Sequence, residues 1–230
     1  MIIVITGARK GIGRYLSEYY LEKGFTVIGC SRNESDLINE KYYHYQLDIS
    51  DEKSVNNFSK IVHKKFGKVD ALINNAGAAS MNHFLFTPPS TAQRLIELNY
   101  LGTYYCVRSF INLLKKSVNP RIVNFSTIAV PLDLAGEIAY VVSKSAVEAF
   151  TKVLAKEISQ FNITVNVIGP TPIDTDLISR VPKEKLDILL SKQAINRMGK
   201  FSDVANVIDF FISPSSDFIT GQIVYLGGVS

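Results

Sequence analysis

The sequence predicts an α/β fold: a doubly wound parallel sheet of about seven strands, covered by helices on both faces, in a single domain spanning residues 1–230. Three observations predict it. Short β-branched runs alternate with segments of helical period from end to end, the pattern of successive βαβ units. The strand candidates, Ile2–Thr6 first among them, are unbroken apolar runs, as strands buried on both faces are. No repeat, low-complexity tract or linker divides the chain, and 230 residues are generous for one domain and cramped for two.

The elements follow in order. After Ile2–Thr6 a helix is expected over about 12–23, with Gly24 closing it as a left-handed C-terminal residue. Phe25–Cys30 and Tyr42–Leu47 are the next strands. A helix over about 52–66 follows, with Ser50 or Asp51 as its cap and Gly67 as its stop. Val69–Ile73 is the fourth strand, and after an irregular stretch a long helix runs over about 91–116. Arg121–Phe125, a second long helix over about 139–160, and Ile163–Ile168 come next. Residues 169–200, punctuated by Pro170, Pro172 and Pro182, are expected to be loop-rich; a helix over 203–212 and a strand at 222–226 end the fold.

Composition narrows the function classes. Hydrophobic residues make up 47% of the chain and charged residues 20%, which suits a packed core and excludes a disordered chain. The net charge is +4 and no run of five like charges occurs, so no nucleic-acid partner is expected. Cys30 and Cys106 are too few for a disulfide framework or a CxxC metal site, so no metal is expected and both are read as reduced, packed thiols. The amino terminus lacks a basic segment, and no stretch approaches the ~18 apolar residues of a membrane span. A soluble, cytoplasmic protein is expected.

In a sheet of this kind chemistry sits beyond the carboxyl ends of the strands. The first strand runs into Thr6-Gly7-Ala8-Arg9-Lys10-Gly11-Ile12-Gly13 immediately before a helix. Gly7 permits the tight turn, Gly11 lets the backbone approach a diphosphate, and Gly13 allows close helix–strand packing. The helix amino terminus then offers free N–H groups to phosphate oxygens. No GK[ST] follows, which disfavours a P-loop. At the end of the second strand stands Cys30-Ser31-Arg32-Asn33, with no carboxylate before Glu34. Arg32, with Arg9 or Lys10, is suited to a ribose 2′-phosphate, so NADP(H) is preferred; Glu34 swung inward would suit NAD(H) instead. Asp48 is either an acceptor for the adenine amino group or a helix cap.

Tyr140 and Lys144 lie four residues apart on one helix, so both side chains leave the same face. An ammonium beside a phenol favours the tyrosinate, which suits proton transfer to a carbonyl oxygen. Ser126 and Thr127 end the fifth strand, at the edge that opens on the same crevice.

These residues, together with NNAG at 74–77, Asn99 in ELNYLGTYY, NFST at 124–127, YVVSK at 140–144 and NVIGPTPIDT at 166–175, resemble the short-chain dehydrogenase/reductase family in its compact, Rossmann-type branch. The resemblance runs from end to end and is nearest to 3-oxoacyl-(acyl-carrier-protein) reductase-like members. It implies that Tyr140 is the acid–base, that Lys144 lowers its pKa and binds the nicotinamide ribose, and that Thr127, thirteen residues before the tyrosine, polarises the carbonyl, with Ser126 as the alternative. Asn99 is implied to distort its helix and hold a water in the proton relay. Asn74 is implied to stabilise the central sheet. The implied cofactor set is Gly7, Arg9, Lys10, Gly11, Ile12, Gly13, Ser31, Arg32, Asp48, Ile49, Asn75, Ala76, Gly77, Pro170, Ile173 and Thr175, with Tyr140 and Lys144. Pro170-Thr171 stands where most relatives have Pro-Gly, so this loop is expected to bend differently.

The activity implied is NAD(P)(H)-dependent interconversion of a ketone and a secondary alcohol, on a small-molecule carbonyl or alcohol. Segments 78–89, 130–138 and 171–200 should wall the pocket, with Met81, Phe84, Leu85, Phe86, Pro131, Leu132 and Leu134 giving it an apolar side. A 3-oxoacyl thioester is the first substrate class, with sugar or steroid alcohols as alternatives. His83, Asp133 and Glu137 are read as surface residues, with contact to a polar substituent of the substrate as the alternative for each. Arg180, Lys183, Lys185 and Lys192 are interspersed with carboxylates and make a poor face for an acidic carrier protein. Apolar residues on the two long helices (Leu95, Ile96, Tyr100, Tyr104, Phe110, Val147, Phe150 and Val153) point to a homodimer or homotetramer. Two rival readings are a dinucleotide sensor without turnover and a sugar-nucleotide epimerase. The intact YxxxK argues against the first, and the short carboxyl-terminal part against the second.

Overall fold

The computed structural model describes residues 1–176, 178 and 181–229. Strands β1 (Ile2–Thr6), β2 (Thr26–Ser31), β3 (Tyr42–Gln46), β4 (Ala71–Asn74), β5 (Arg121–Phe125), β6 (Thr164–Gly169) and β7 (Ile223–Tyr225) form one parallel sheet in the order β3-β2-β1-β4-β5-β6-β7. The chain winds outward from β1 to β3, returns to β4 on the other side of β1, and winds outward again. The carboxyl ends of β1 and β4 therefore flank the crevice where the direction of winding reverses.

Alternation along each strand sorts the core into two layers. Ile28, Val4, Leu72, Ile122 and Val165 lie in register across five strands. They pack with Val55, Phe58 and Val62 of α2 (Glu52–Phe66), Phe110 and Leu114 of α4 (Gly102–Leu114), and Leu154 of α5 (Ile138–Glu157). Ile3, Ile5, Ile73 and Val123 face the other way, onto Leu16 and Tyr20 of α1 (Gly11–Glu22) and Val204, Ile208 and Phe211 of α7 (Phe201–Ile212).

Local signals account for the ends of several elements. Asp51 caps α2 by accepting from the Lys53 N–H, and Gly67 ends it in the left-handed region at φ 75°. Gly24, at φ 78°, follows α1. The expected long helix begins earlier, at Pro89, and is not uniform: α3 (Pro89–Leu95) passes through a π-helical turn at Ile96–Leu101 before α4. Residues 169–200 hold a helix that their prolines had hidden, α6 (Lys183–Ser191), for which Pro182 is the N-cap. No helix among the described residues is long and apolar enough to cross a membrane.

Three of the eight apolar residues expected to mark a subunit face, Leu95, Phe110 and Val147, belong to the chain's own core. Phe150 lies against Tyr100 and Tyr104, with ring centroids 6.0 and 5.7 Å away. Val153 and Val142 of α5 remain more than half exposed.

Candidate active site

At the carboxyl edge of the sheet lies a cleft of about 1230 Å³. Every residue assigned to the cofactor or to catalysis lines it except Gly13 and Asn99, which stand directly behind its wall. The β1–α1 turn is held by its neighbours: the N–H groups of Gly7 and Ala8 donate to the Cys30 carbonyl at 2.8 and 3.1 Å. The Asn75 amide donates to the Thr6 carbonyl at 2.9 Å, and the Ala76 N–H to the Thr6 hydroxyl at 3.0 Å. Gly13 serves close approach, because a Cβ there would stand 2.2 Å from the Gly7 carbonyl oxygen. Gly11, at φ 56°, presents bare backbone to the cleft. Lys10 at the N-cap makes no capping bond through its side chain, so the first N–H groups of α1 keep their pull on an anion. These features fit a dinucleotide diphosphate.

Beyond β2, the lining includes Arg9, Ser31, Arg32 and Asn33 but not Glu34. Arg9 and Arg32 are exposed. Lys10 is less available, since its ammonium pairs with Asp176 at 2.6 Å across the mouth of the cleft. Asp48 is a turn residue as well as a wall residue, accepting from the Ser50 N–H at 2.9 Å and the Ser50 hydroxyl at 2.7 Å.

The chemistry-bearing side chains meet at the floor. Tyr140 and Lys144 are buried on the first turns of α5, and the Thr127 hydroxyl just after β5 lines the same cleft, near enough to the Tyr140 phenol to lower its pKa. Ser126 is turned away: its hydroxyl donates to the buried Glu148 carboxylate, which also accepts from the Tyr225 hydroxyl at 2.8 Å. Ser126 is thus committed to Glu148, and Thr127 is the hydroxyl that acts on the tyrosine. The Lys144 ammonium donates to the Phe125 carbonyl at 2.8 Å.

Asn99 lies within the π turn, where the regular hydrogen-bond ladder is interrupted. Its side-chain oxygen accepts from the Ala78 N–H at 2.9 Å, and its amide donates to the Ala78 carbonyl and the Ser143 hydroxyl at 2.9 and 2.8 Å. The side chain is fully engaged in tying the helix to the segment after β4 and to α5. The distortion is as expected; the amide itself is a brace.

The expected lowering of the tyrosine pKa by the lysine is not what the protein groups alone produce. Burial pushes the Tyr140 phenol up to about 12, against the Thr127 hydroxyl, which lowers it, while the charge of Glu137 raises it further. Burial also pulls Lys144 down to about 8.

Two wall assignments change. Phe84, Leu85 and Phe86 form a short 3₁₀ turn facing outward, 66%, 77% and 77% exposed, and neither they nor Pro131 and Leu132 line the cleft. Its apolar side comes instead from Met81 and Leu134, with Ile178, Val181, Leu186, Ile188 and Leu189 around the hidden helix α6. Glu137, read from sequence as a surface residue, is buried in the wall; His83 is exposed at the cleft's edge, and Asp133 is exposed outside it. The short spacing to Tyr140, three residues along α5, was the one available signal. Thr171, where relatives carry glycine, is buried and donates to the Gln193 side-chain oxygen at 2.7 Å. Arg180 lies outside the described residues. Among the described residues no group of three His, Cys, Asp or Glu side chains could hold a metal ion.

Comparison with known proteins agrees with this geometry. The family model for short chain dehydrogenases matches residues 1–206. The 3-oxoacyl-[acyl-carrier-protein] reductase FabG of Vibrio harveyi is 28% identical over 233 residues, 99% of this chain and 96% of that protein. FabG of Thermotoga maritima is 30% identical over 236 residues, with the same coverage. Among solved structures, Thermoplasma acidophilum aldohexose dehydrogenase superposes with a TM-score of 0.90 at 29% identity, covering 99% of this chain and 93% of that one. ElxO with NADP bound gives 0.89 at 30%, covering 98% and 96%. 4-Hydroxyisoleucine dehydrogenase complexed with NADH gives 0.89 at 29%, covering 100% and 98%. With a family model spanning most of its length and the sheet, turn and YxxxK helix in place, this chain belongs to the short-chain dehydrogenase/reductase family.

Proposed function

We propose that this chain is an NADP(H)-dependent reductase or dehydrogenase that interconverts a ketone and a secondary alcohol, with Tyr140 as the acid–base. The observation that carries the reading is the gathering of Thr127 and the buried Tyr140 and Lys144 in the one cleft that the glycine-rich turn also lines. A bound nicotinamide dinucleotide would supply the hydride. The backbone of the β1–α1 turn would hold its diphosphate, Asp48, Ile49, Asn75, Ala76 and Gly77 the adenosine side, and Pro170, Ile173 and Thr175 the carboxamide. Arg32 and Arg9 would hold a 2′-phosphate, and the absence of Glu34 from the cleft wall supports NADP(H) over NAD(H).

In the reducing direction Thr127 and Tyr140 donate hydrogen bonds to the carbonyl oxygen. Negative charge builds on that oxygen as its carbon is reduced, and Tyr140 passes it the phenolic proton. Because burial holds the phenol neutral, Tyr140 is ready to act as an acid, and the Lys144 ammonium, fixed by the Phe125 carbonyl, stabilises the tyrosinate that remains. The apolar wall around α6 supports a partly apolar carbonyl, and the resemblance to 3-oxoacyl reductases supports a 3-oxoacyl group as the first class to try. We read the protein as a cytoplasmic homodimer or homotetramer, its exposed Val142 and Val153 marking the α5 face.

The test is turnover with NADPH and NADH across acetoacetyl thioesters, sugars, steroids and simple ketones, with Tyr140→Phe and Arg32→Ala alongside. Tyr140→Phe should lose at least about 10³-fold in turnover yet bind NADPH. Arg32→Ala should lose affinity for NADPH selectively. Near-normal activity of Tyr140→Phe removes that residue from its role, and tight NADPH binding without turnover of any carbonyl identifies a dinucleotide sensor instead.

A further inference from the structure

Among the described residues the buried carboxylates have partners, with one exception. Glu148 accepts from the Ser126 and Tyr225 hydroxyls. Asp70 accepts from the Ile2 N–H at 2.8 Å, the Ser117 hydroxyl at 2.6 Å and the Lys68 ammonium at 3.0 Å. Glu137 is 8% exposed, yet among the described residues nothing hydrogen-bonds or pairs with its carboxylate. It stands at the N-cap of α5 but does not cap that helix with its side chain. It lines the cleft instead, one helical turn before Tyr140, close enough for its charge to act on the phenol. A largely buried carboxyl that no protein donor reaches, and that opens only on the cleft, is placed to take a donor from a ligand that fills the cleft.

Resting on the ketone–alcohol reading above, we propose that Glu137 is the specificity-determining residue of the substrate pocket. Among the ketones of that reading it favours those that carry a hydrogen-bond donor, a hydroxyl or a protonated amine, near the reacting carbonyl over a plain 3-oxoacyl group, which has none. On the α6 side the wall is Ile178, Val181, Leu186, Ile188 and Leu189 with the cations Lys185 and Lys192, which donate and do not accept, so a donor group beside the reacting carbonyl would find its nearest acceptor at Glu137, one helical turn from Tyr140. A purely apolar ketone would leave the carboxyl buried and unpaired, the arrangement that yields large discrimination against a missing donor.

The test compares cyclohexanone, its 3- and 4-hydroxy derivatives, and 3- and 4-piperidone at pH 8, both as kcat/KM with NADPH and as Kd for the protein–NADPH complex. The full chain is used as wild type, Glu137→Leu and Glu137→Gln. At least one donor-bearing ketone should be preferred over cyclohexanone by about 10- to 100-fold in wild type. The ratio should fall to within about twofold of one in Glu137→Leu. Glu137→Gln, nearly isosteric, should keep a preference for the hydroxyl and lose one for the ammonium, which identifies the donor. A wild type in which no donor-bearing ketone outdoes cyclohexanone overturns the proposal, as does a preference that survives in Glu137→Leu. Lack of turnover with every ketone would instead fail the redox reading, while the Kd ratios still decide the role of Glu137.

Discussion

Burying the Glu137 carboxyl without a donor has a cost that depends on pH, and its size follows from the structure. Burial raises this carboxyl from the ordinary 4.5 to about 7. The fold therefore binds the proton more tightly than the unfolded chain does. Below the ordinary value both states hold the neutral acid and Glu137 adds no ionisation penalty; as pH rises through 4.5 toward 7 the unfolded chain ionises first, and stability falls. At 1.36 kcal/mol per pH unit the full penalty above pH 7 is about 3 kcal/mol, and the part acquired between pH 5 and pH 8 is about 2.5 kcal/mol. Glu137→Gln cannot ionise and removes this dependence. Urea unfolding of both proteins at pH 5 and pH 8 should show the variant gaining about 2.5 kcal/mol over wild type between the two, a midpoint difference of about 1 M. Because the other titrating groups are common to both proteins, their contributions cancel. A gap between variant and wild type that is the same at both pH values, or that shrinks as pH rises, would refute the burial argument.

Other expectations follow from the same geometry. Thr127→Ala should lose about 10²-fold in kcat by removing a donor to the carbonyl oxygen, whereas Ser126→Ala should cost about 1–3 kcal/mol of stability by depriving Glu148 of a partner. Steady-state kinetics and denaturation on the pair check this, and the opposite pattern would make Ser126 the polarising residue. Gly13→Ala should destabilise by about 3 kcal/mol or more, because the new methyl meets the Gly7 carbonyl oxygen, and calorimetry should find no stable dinucleotide complex; a wild-type Tm refutes the close-packing account. With Lys144 drawn down to about 8, its ammonium is lost as pH rises through that value, so kcat/KM for NADPH should decline above about pH 8. A profile level to pH 9.5 would show that the charge on Lys144 is not required.

Much of the fold is legible because local chemistry punctuates it. Asp51 and Gly67 bracket α2 where capping rules place them, and β5 spans Arg121–Phe125 as the apolar run suggests. Helix α6 is hidden because Pro182 and the neighbouring prolines mark loops and helix starts alike. The π turn leaves no mark in a 3.6-residue period, and only the family resemblance at Asn99 signals it. At the site, Tyr140, Lys144 and the glycine-rich turn are legible since each depends on spacing within one element. Glu137 is not: between Gly136 and an exposed Ile138 it reads as wet, and only its place in the cleft wall, facing segments distant in sequence, shows that it is buried. The same limit applies to Lys144, whose lowered pKa comes from burial.

The π turn also has a consequence for how the molecule tolerates change. One residue inserted into a helix advances the azimuth of everything downstream by about 100°. Ahead of the turn Leu95 packs with Ala129, Ala139 and Tyr140, while after it Cys106, Val107 and Phe110 pack onto the sheet. The two halves are thus phased to different partners, one catalytic and one architectural. Deleting a single residue within 96–101 would straighten the rod and rotate one half out of its socket, so this stretch should resist shortening far more than the exposed loops nearby do.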